Sequence, residues 1–166
     1  MKDYSTENIR NIALIGHGGS GKTILGDAML FSTGAVTRIG RVEDGSTVSD
    51  YRADEIERQI SISGSVLTTE LQGTKFNIID TPGYTDFVGE VLSSLKVAYT
   101  AMILLKAVEG IEVGSELVWK IASNLQLPSL IVINKMDNEH ADFDHVYEDA
   151  KNRFGHNVAL VQFTVE

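Results

Sequence analysis

A glycine-rich octapeptide, GHGGSGKT at positions 16–23, constrains the fold of this chain more than any other feature of the sequence. The apolar segment NIALI precedes it and ILGDAMLF follows it, so the motif connects a strand-like segment to a helix-like one. Glycines let successive backbone N–H groups turn inward at a helix N-terminus, where the helix dipole also attracts phosphate. The motif therefore predicts a phosphate-binding loop rather than a simple glycine-rich turn. The residues predicted to bind the nucleotide are Gly16, His17, Gly18, Gly19, Ser20, Gly21, Lys22 and Thr23.

Two side chains of this loop have specific predicted roles. Lys22 is expected to reach the β- and γ-phosphates, and the hydroxyl of Thr23 is expected to ligate Mg²⁺. His17 is expected to face solvent without a catalytic role. The motif thus predicts a nucleotide together with magnesium as the ligand.

The rest of the chain alternates between apolar segments of strand length and segments of helix length. Such alternation predicts βαβ crossovers, and hence an α/β fold with a mostly parallel sheet and helices on both faces. The tripeptide QGT between two strand-like segments predicts a hairpin, which gives one antiparallel edge strand. Residues 36–63 are polar and lack periodicity, which is typical of a functional or mobile loop. Strands are predicted at 10–15, 65–71, 75–80, 101–108, 129–134 and 158–163, and helices at 21–32, 86–98, 114–125 and 142–154.

Composition limits the classes of partner and compartment. A length of 166 residues suits one globular core, and a net charge of −9 argues against broad neutralisation of nucleic-acid phosphates. The chain has no run of about 18 apolar residues, so no membrane span is predicted, and its polar N-terminus lacks the apolar region of a secretory signal. Cysteine is absent, which excludes disulfide frameworks and thiolate metal sites. We expect a location in the reducing cytoplasm.

A second motif, DTPGY at 80–84, ends the strand-like segment KFNIID. A carboxylate at the C-terminal end of such a strand is well placed to hold magnesium, so Asp80 is a predicted metal ligand. Gly83 could donate its backbone N–H to a γ-phosphate. Taken alone the segment reads as an ordinary turn, and its proximity to a phosphate-binding loop favours the magnesium interpretation.

A third motif, NKMD at 134–137, also follows a strand-like segment. Asp137 can accept two hydrogen bonds from the N1–H and 2-amino groups of guanine, a donor pair that adenine lacks. Asn134 can brace the loop and contact N7, and the stem of Lys135 can lie against the ring. Alone, the tetrapeptide is common as a helix-capping turn. In order with the other two motifs, it favours GTP and GDP over adenine nucleotides.

These motifs, together with TVSDY…EIERQISIS and NIIDTPGYTDFVGEV, resemble the GTPase domain of elongation factor G and its relatives among the translational GTPases. The resemblance covers about residues 9–163. It implies a Ras-like fold, hydrolysis of GTP with Mg²⁺, and the ribosome as partner. It places switch I at about 36–63 and switch II at about 81–98, with Ser61 as a magnesium ligand where the family usually has threonine.

The chain departs from the family pattern at several positions. Gly19 replaces an acidic residue, and Arg58-Gln59-Ile60-Ser61 replaces the usual RGIT. Tyr84 stands where the family has the histidine that helps to place the attacking water, so Tyr84 is the catalytic candidate and resembles a subgroup of elongation factor G-like proteins. A fifth guanine motif is not found. We therefore expect residues 1–166 to be the N-terminal part of a translation-factor GTPase domain, monomeric as a fragment, with the rest of the domain and later domains absent.

Two functions remain open from the sequence. The first is a GTP-hydrolysing switch that acts on the ribosome. The second is a GTP-binding regulatory module with little or no effective turnover. An ATP-using enzyme is a more distant alternative, because NKMD would then have no role.

Overall fold

The computed structural model describes residues 3–163 of the chain. These residues form five strands and five α-helices in the order β1-α1-α2-β2-β3-α3-β4-α4-β5-α5, with short 3₁₀ turns at Thr6–Asn8 and Thr85–Phe87. The strands are β1 (Ile9–Gly16), β2 (Ser65–Leu71), β3 (Thr74–Asp80), β4 (Thr100–Lys106) and β5 (Ser129–Asn134). The helices are α1 (Lys22–Ser32), α2 (Ala53–Arg58), α3 (Val88–Leu95), α4 (Val113–Asn124) and α5 (Phe143–Phe154).

The five strands form one sheet in the order β2-β3-β1-β4-β5. All neighbouring pairs are parallel except β2–β3, which is the predicted antiparallel hairpin. Because β1, β3 and β5 run in the same direction, their carboxyl ends meet at one edge of the sheet. Gly16, Asp80 and Asn134 are the last residues of these three strands, so the three motifs are gathered at that edge. The predicted α/β fold class is confirmed.

The core lies on both faces of the sheet. Ala13, Ile15 and Ile103 point to one face, where α3, α4 and α5 cover them. Leu14 and Leu104 point to the other face, where α1 and β2 contribute Leu30 and Leu67. Side chains alternate between the two faces because successive residues of a strand point in opposite directions. The sheet is thus a rigid middle layer that fixes the positions of the loops at its carboxyl edge.

The predicted strand at 158–163 is wrong. These residues form neither helix nor strand, and Val161 is 84% exposed. Their alternating apolar pattern favours an extended backbone, but a strand also needs a neighbouring strand to pair its N–H and C=O groups. Within residues 3–163, β5 pairs only with β4.

Two further segments differ from the prediction. The helix expected at 86–98 is split into a 3₁₀ turn and α3, which ends at Leu95. The polar stretch at 36–63 contains the six-residue helix α2, whose single turn and a half is too short to show a helical period in the sequence. Among the described residues, no helix has the length and apolar character needed to cross a membrane.

Candidate functional site

The loop between β1 and α1 has a backbone conformation that requires glycine. Gly21, which precedes α1, has a φ of +95°, a left-handed conformation that disfavours residues with a side chain. A Cβ atom on Gly21 would also collide with the side-chain amide of Asn134. That amide donates to the backbone oxygen of Ser20 at 2.8 Å, so the first residue of NKMD braces the phosphate-binding loop.

The ammonium group of Lys22 lies inside this loop. Its Nζ atom donates to the backbone oxygen atoms of Gly16, at 3.1 Å, and His17, at 3.0 Å. Burial lowers the pKa of Lys22 to about 8, although the negative charges of Asp80 and Asp50 act in the opposite direction. A buried cation surrounded by backbone groups is suited to bind phosphate oxygens, because they would replace the interactions with water that burial removes.

The predicted metal ligands meet at one point beside Lys22. The hydroxyl of Thr23 donates to Asp80 Oδ2 at 2.7 Å, and its oxygen lies 3.3 Å from the hydroxyl oxygen of Ser61. The second oxygen of Asp80 is buried and has no hydrogen-bond partner among the described residues. Burial raises the pKa of Asp80 to about 6.

This set of donors fits Mg²⁺. The ion prefers oxygen ligands and is usually held by one or two carboxylates together with phosphate and water. Two hydroxyls and one carboxylate with an unpaired buried oxygen, all beside a phosphate-binding loop, match that preference. In the part of the chain from residue 3 to 163, no three acidic, histidine or cysteine side chains converge into an all-protein metal cage.

Two further polar residues belong to this cluster and were not predicted from the sequence. Ser49 donates to Asp80 Oδ2 at 2.8 Å, and Asp50 accepts a hydrogen bond from Ser61 at 2.7 Å. Burial raises the pKa of Asp50. Both residues lie in the polar stretch 36–63, where many serines and acids occur, and no spacing in the sequence distinguishes these two. Their roles depend on the path of the loop back to β3.

Gly83 and Tyr84, in the segment after β3, contact the phosphate-binding loop. A Cβ atom on Gly83 would lie 2.5 Å from Lys22 Nζ and 2.7 Å from the Cα atom of Gly18, so only glycine fits here. The ring of Tyr84 faces Gly18, while the side chain as a whole remains half-exposed. The structure therefore brings the predicted γ-phosphate donor and the predicted catalytic residue to the same loop.

The remaining NKMD residues form the turn that follows β5. Lys135 has a φ of +61°, and the backbone N–H of Asn138 donates to its carbonyl oxygen at 3.2 Å, which turns the chain after β5. Lys135 and Asp137 are exposed. Asn134 contacts the phosphate-binding loop, and the chain that follows it leaves the side chain of Asp137 exposed to solvent.

The prediction that His17 faces solvent is wrong in part. Its Nε2 atom lies 3.4 Å from a carboxylate oxygen of Glu112, which also pairs with Lys106 at 3.2 Å. A Cβ atom on Gly114 would lie 2.6 Å from His17 Nδ1. The imidazole thus packs between the loop and the start of α4, because glycine at position 114 leaves room for it.

Comparison with known proteins agrees with this arrangement. The family model for the elongation factor Tu GTP binding domain matches residues 7–165. The mitochondrial ribosome-releasing factor 2 of Candida dubliniensis is 42% identical over 160 residues, which is 96% of this chain and 20% of that protein. Its counterpart in Candida albicans is 41% identical over 165 residues, again 96% of this chain and 20% of that protein.

A crystal structure of a Thermus thermophilus protein, ttk003000868, has the same fold, with a TM-score of 0.85 and 39% identity. The match covers 89% of this chain and 22% of that one, so the chain spans about a fifth of the length of the proteins it resembles. These findings confirm the prediction of a translation-factor-type GTPase domain that binds guanine nucleotides. The chain belongs to the family of elongation factor Tu GTP-binding domains.

Proposed function

We propose that this chain is the nucleotide-dependent switch of an elongation factor G-like ribosomal factor, which binds GTP with Mg²⁺ and hydrolyses it. The observation that carries the proposal is the meeting of Thr23, Ser61 and Asp80 beside Lys22. The three oxygen-bearing side chains come from α1, switch I and the end of β3. A ligand that contacts all three therefore joins the phosphate-binding loop to both switches.

In this proposal the chain prepares the phosphates for attack by water. The inward N–H groups of the loop and the ammonium group of Lys22 hold the β- and γ-phosphates. Thr23, Ser61 and Asp80 hold Mg²⁺, which supplies positive charge next to the phosphate oxygens. Gly83 donates its backbone N–H to the γ-phosphate, and Tyr84 orients the attacking water through its hydroxyl. Phosphoryl transfer needs little more than positioning and charge stabilisation, and these groups provide both.

Guanine is selected in the proposal by the NKMD loop. Asp137 accepts two hydrogen bonds from the base edge, Asn134 supports the loop and contacts N7, and the stem of Lys135 covers the ring. The exposed position of Asp137, three residues after Asn134, and the hydrogen bond from Asn134 to Ser20 support this assignment.

Loss of the γ-phosphate is what the switches detect. Switch I, at about 36–63, contains Ser61, and switch II, at about 81–98, contains Gly83, so each loses a contact after hydrolysis. We assign the ribosome as the partner because two similar proteins are named ribosome-releasing factors. With a net charge of −9, this chain, which we expect to be monomeric by itself, is expected to meet the ribosome through a local patch or through other parts of a longer protein.

We place the protein in the cytoplasm on the basis of its cysteine-free composition, and cell fractionation tests this against the mitochondrial location in the names of the relatives.

The second candidate function is a GTP-binding regulatory module with little turnover. The presence of Tyr84 favours it, because a phenol, unlike an imidazole, cannot carry positive charge toward the phosphate.

GTP turnover by the full-length protein, measured with and without ribosomes, separates the two candidates. A switch that acts on the ribosome hydrolyses GTP slowly alone and faster with ribosomes. A regulatory module binds GTP equally well but shows no stimulation. ATP in place of GTP serves as the control, and equal turnover of both nucleotides would contradict the assignment of NKMD.

A further inference from the structure

Asp27, in the second turn of α1, is a fully buried acid that none of the motifs above includes. Its exposed fraction is 0%, and both carboxylate oxygens have backbone partners. The N–H of Gly40 donates to Oδ2 at 3.0 Å, and the N–H of Val48 donates to Oδ1 at 3.1 Å. One carboxylate thus binds the backbone at two points that are eight residues apart.

The segment between these two points is a closed loop. The backbone N–H of Ser46 donates to the oxygen of Arg41 at 3.1 Å, and the Ser46 hydroxyl oxygen accepts from the N–H of Arg41 at 3.0 Å. The N–H of Gly45 donates to the oxygen of Val42 at 3.0 Å. Asp27 therefore binds both ends of a loop that holds itself together.

Gly40 is fitted to this arrangement. A Cβ atom on Gly40 would lie 2.7 Å from Asp27 Oδ2 and 2.6 Å from the Cα atom of Thr47, and it would also collide with the backbone oxygen of Ser46. Two of these neighbours are backbone atoms, which cannot rotate away as a side chain can. The close approach of the segment to α1 thus depends on glycine at this position.

The loop leads directly into the cluster beside Lys22. Ser49 follows Val48 and donates to Asp80, and Asp50 accepts from Ser61. Asp27 itself is on α1, four residues or about one helical turn after Thr23. Thr23 contacts both Asp80 and Ser61. The rigid turn of α1 between Thr23 and Asp27 therefore joins the phosphate-binding loop to the start of switch I.

We propose that Asp27 is a positioning residue: by holding Gly40 and Val48, it places Ser49, Asp50 and hence Ser61 where they support Mg²⁺ binding. Asp27 does not contact the nucleotide in this proposal and acts through switch I. The inference rests on the proposed function, since it assumes that the cluster of Thr23, Ser61 and Asp80 binds Mg²⁺ with the nucleotide.

Two variants break the arrangement from opposite sides. Asp27→Asn keeps the size of the side chain but replaces one acceptor oxygen with an NH₂ group that faces a backbone N–H. Gly40→Ala leaves Asp27 unchanged and forces the loop away from it. Asp44→Asn, which removes an exposed carboxylate from the same loop, is the matched control.

Two measurements on these proteins test the proposal. Hydrogen exchange of the ligand-free chain should show amides in 40–50 exchanging about tenfold faster or more in both variants, while α4 and α5 keep their protection. The release of a labelled, non-hydrolysable GTP analogue in Mg²⁺ should be about tenfold faster or more in both variants. In EDTA, both variants and the wild type should release the analogue at the same rate.

The comparison of nucleotide release in Mg²⁺ and in EDTA distinguishes a positioning role of Asp27 from a merely structural one. Faster exchange in 40–50 with unchanged release of the GTP analogue in Mg²⁺, in either variant that retains protection in α4 and α5, would overturn the coupling. Equal acceleration with and without Mg²⁺ would overturn it as well. If the wild-type chain failed to hold the GTP analogue, the proposed function itself would be overturned, whereas a defect confined to the Asp27 and Gly40 variants leaves that function standing. Should Asp27→Asn fail to fold, Gly40→Ala decides both measurements.

Discussion

The ring of Tyr84 lies against the backbone of Gly18. A Cβ atom at position 18 would lie 3.4 Å from the Cε2 and Cζ atoms of the ring, which is ordinary van der Waals distance. The Cζ atom carries the hydroxyl, so the oxygen of Tyr84 is held close to the phosphate-binding loop. This contact connects switch II to the loop through packing and gives the phenol a defined place in the site.

Substitution of Tyr84 tests whether its hydroxyl orients the attacking water. Tyr84→Phe keeps the ring against Gly18 and removes only the oxygen, so ribosome-stimulated GTP turnover should fall while GTP binding is unchanged. Loss of such a positioning group typically costs about 10²- to 10⁴-fold when nothing replaces it. Tyr84→His should raise stimulated turnover, because an imidazole can carry positive charge toward the phosphate. Turnover by the Phe variant equal to that of the wild type would assign Tyr84 to packing of switch II alone.

Substitution of Asp137 tests base recognition. Asp137→Asn replaces one acceptor oxygen with a donor, which clashes with the donor pair of guanine and suits the additional carbonyl of xanthine. Each hydrogen bond lost to a charged group costs about 1.5–3 kcal/mol, so affinity for GDP should fall and affinity for XDP should rise. Competition between labelled GDP and unlabelled XDP measures the change. Glu139→Gln, on the same exposed loop, is the control, and an unchanged affinity for GDP in Asp137→Asn would remove this residue from the site.

Asp80 is predicted to make the metal-free protein less stable as pH rises. Its pKa is about 6 in the folded chain against 3.8 in the reference state, so the folded state binds more protons between these values. The free energy of unfolding contributed by this group is therefore fully present below about pH 3.8 and is lost as pH rises through about 6. The whole effect is about 3 kcal/mol at most.

Asp80→Asn should therefore stabilise the metal-free chain while it weakens Mg²⁺ binding. We expect a gain of about 1–3 kcal/mol in the free energy of unfolding at pH 7.5, which narrows to about half at pH 5. Urea denaturation in EDTA at both pH values measures this difference. Asp144→Asn, an exposed acid on α5, should show no comparable dependence on pH. A variant that is less stable than the wild type at pH 7.5 would contradict the predicted cost of burying this charge.

Gln59 stands where the family pattern has glycine, and its φ of +54° lies in the left-handed region at the end of α2. This conformation costs a residue with a side chain about 1–2 kcal/mol, which exceeds the entropic cost of glycine. Gln59→Gly should raise the free energy of unfolding by about 0.5–1 kcal/mol, measured by urea denaturation. Gln162→Gly, at an exposed position outside the left-handed region, should give no gain. Destabilisation by Gln59→Gly would show that the Gln59 side chain contributes more than its backbone conformation costs.

The sequence was sufficient to predict the fold and the position of the three motifs, for a physical reason. Parallel strands bring their carboxyl ends to one edge, so residues that follow such strands, such as Gly16, Asp80 and Asn134, are gathered whatever the details of packing. Ser61 is predicted to be a magnesium ligand because its segment resembles a family motif, and in the structure its hydroxyl lies close to that of Thr23.

Residues on long loops could not be predicted in the same way. Asp27 and Asp50 act through backbone amides and hydroxyls that meet only after 36–63 has folded back on α1 and β3, and polar loops carry no periodicity that would reveal such contacts. The error at 158–163 has a related cause. Apolar alternation reports strand propensity, whereas pairing depends on a partner that the segment itself does not contain.

We propose above that one edge of the sheet forms a magnesium-dependent site for guanine nucleotides. Calorimetric titration of the chain with GDP and with ADP, each in Mg²⁺ and in EDTA, measures both properties in one experiment. We expect GDP to bind about 100-fold tighter than ADP or more, because two charge-assisted hydrogen bonds from Asp137 distinguish the bases, and we expect EDTA to weaken the binding of GDP. Equal affinities for GDP and ADP, or binding of GDP that does not depend on Mg²⁺, would contradict it.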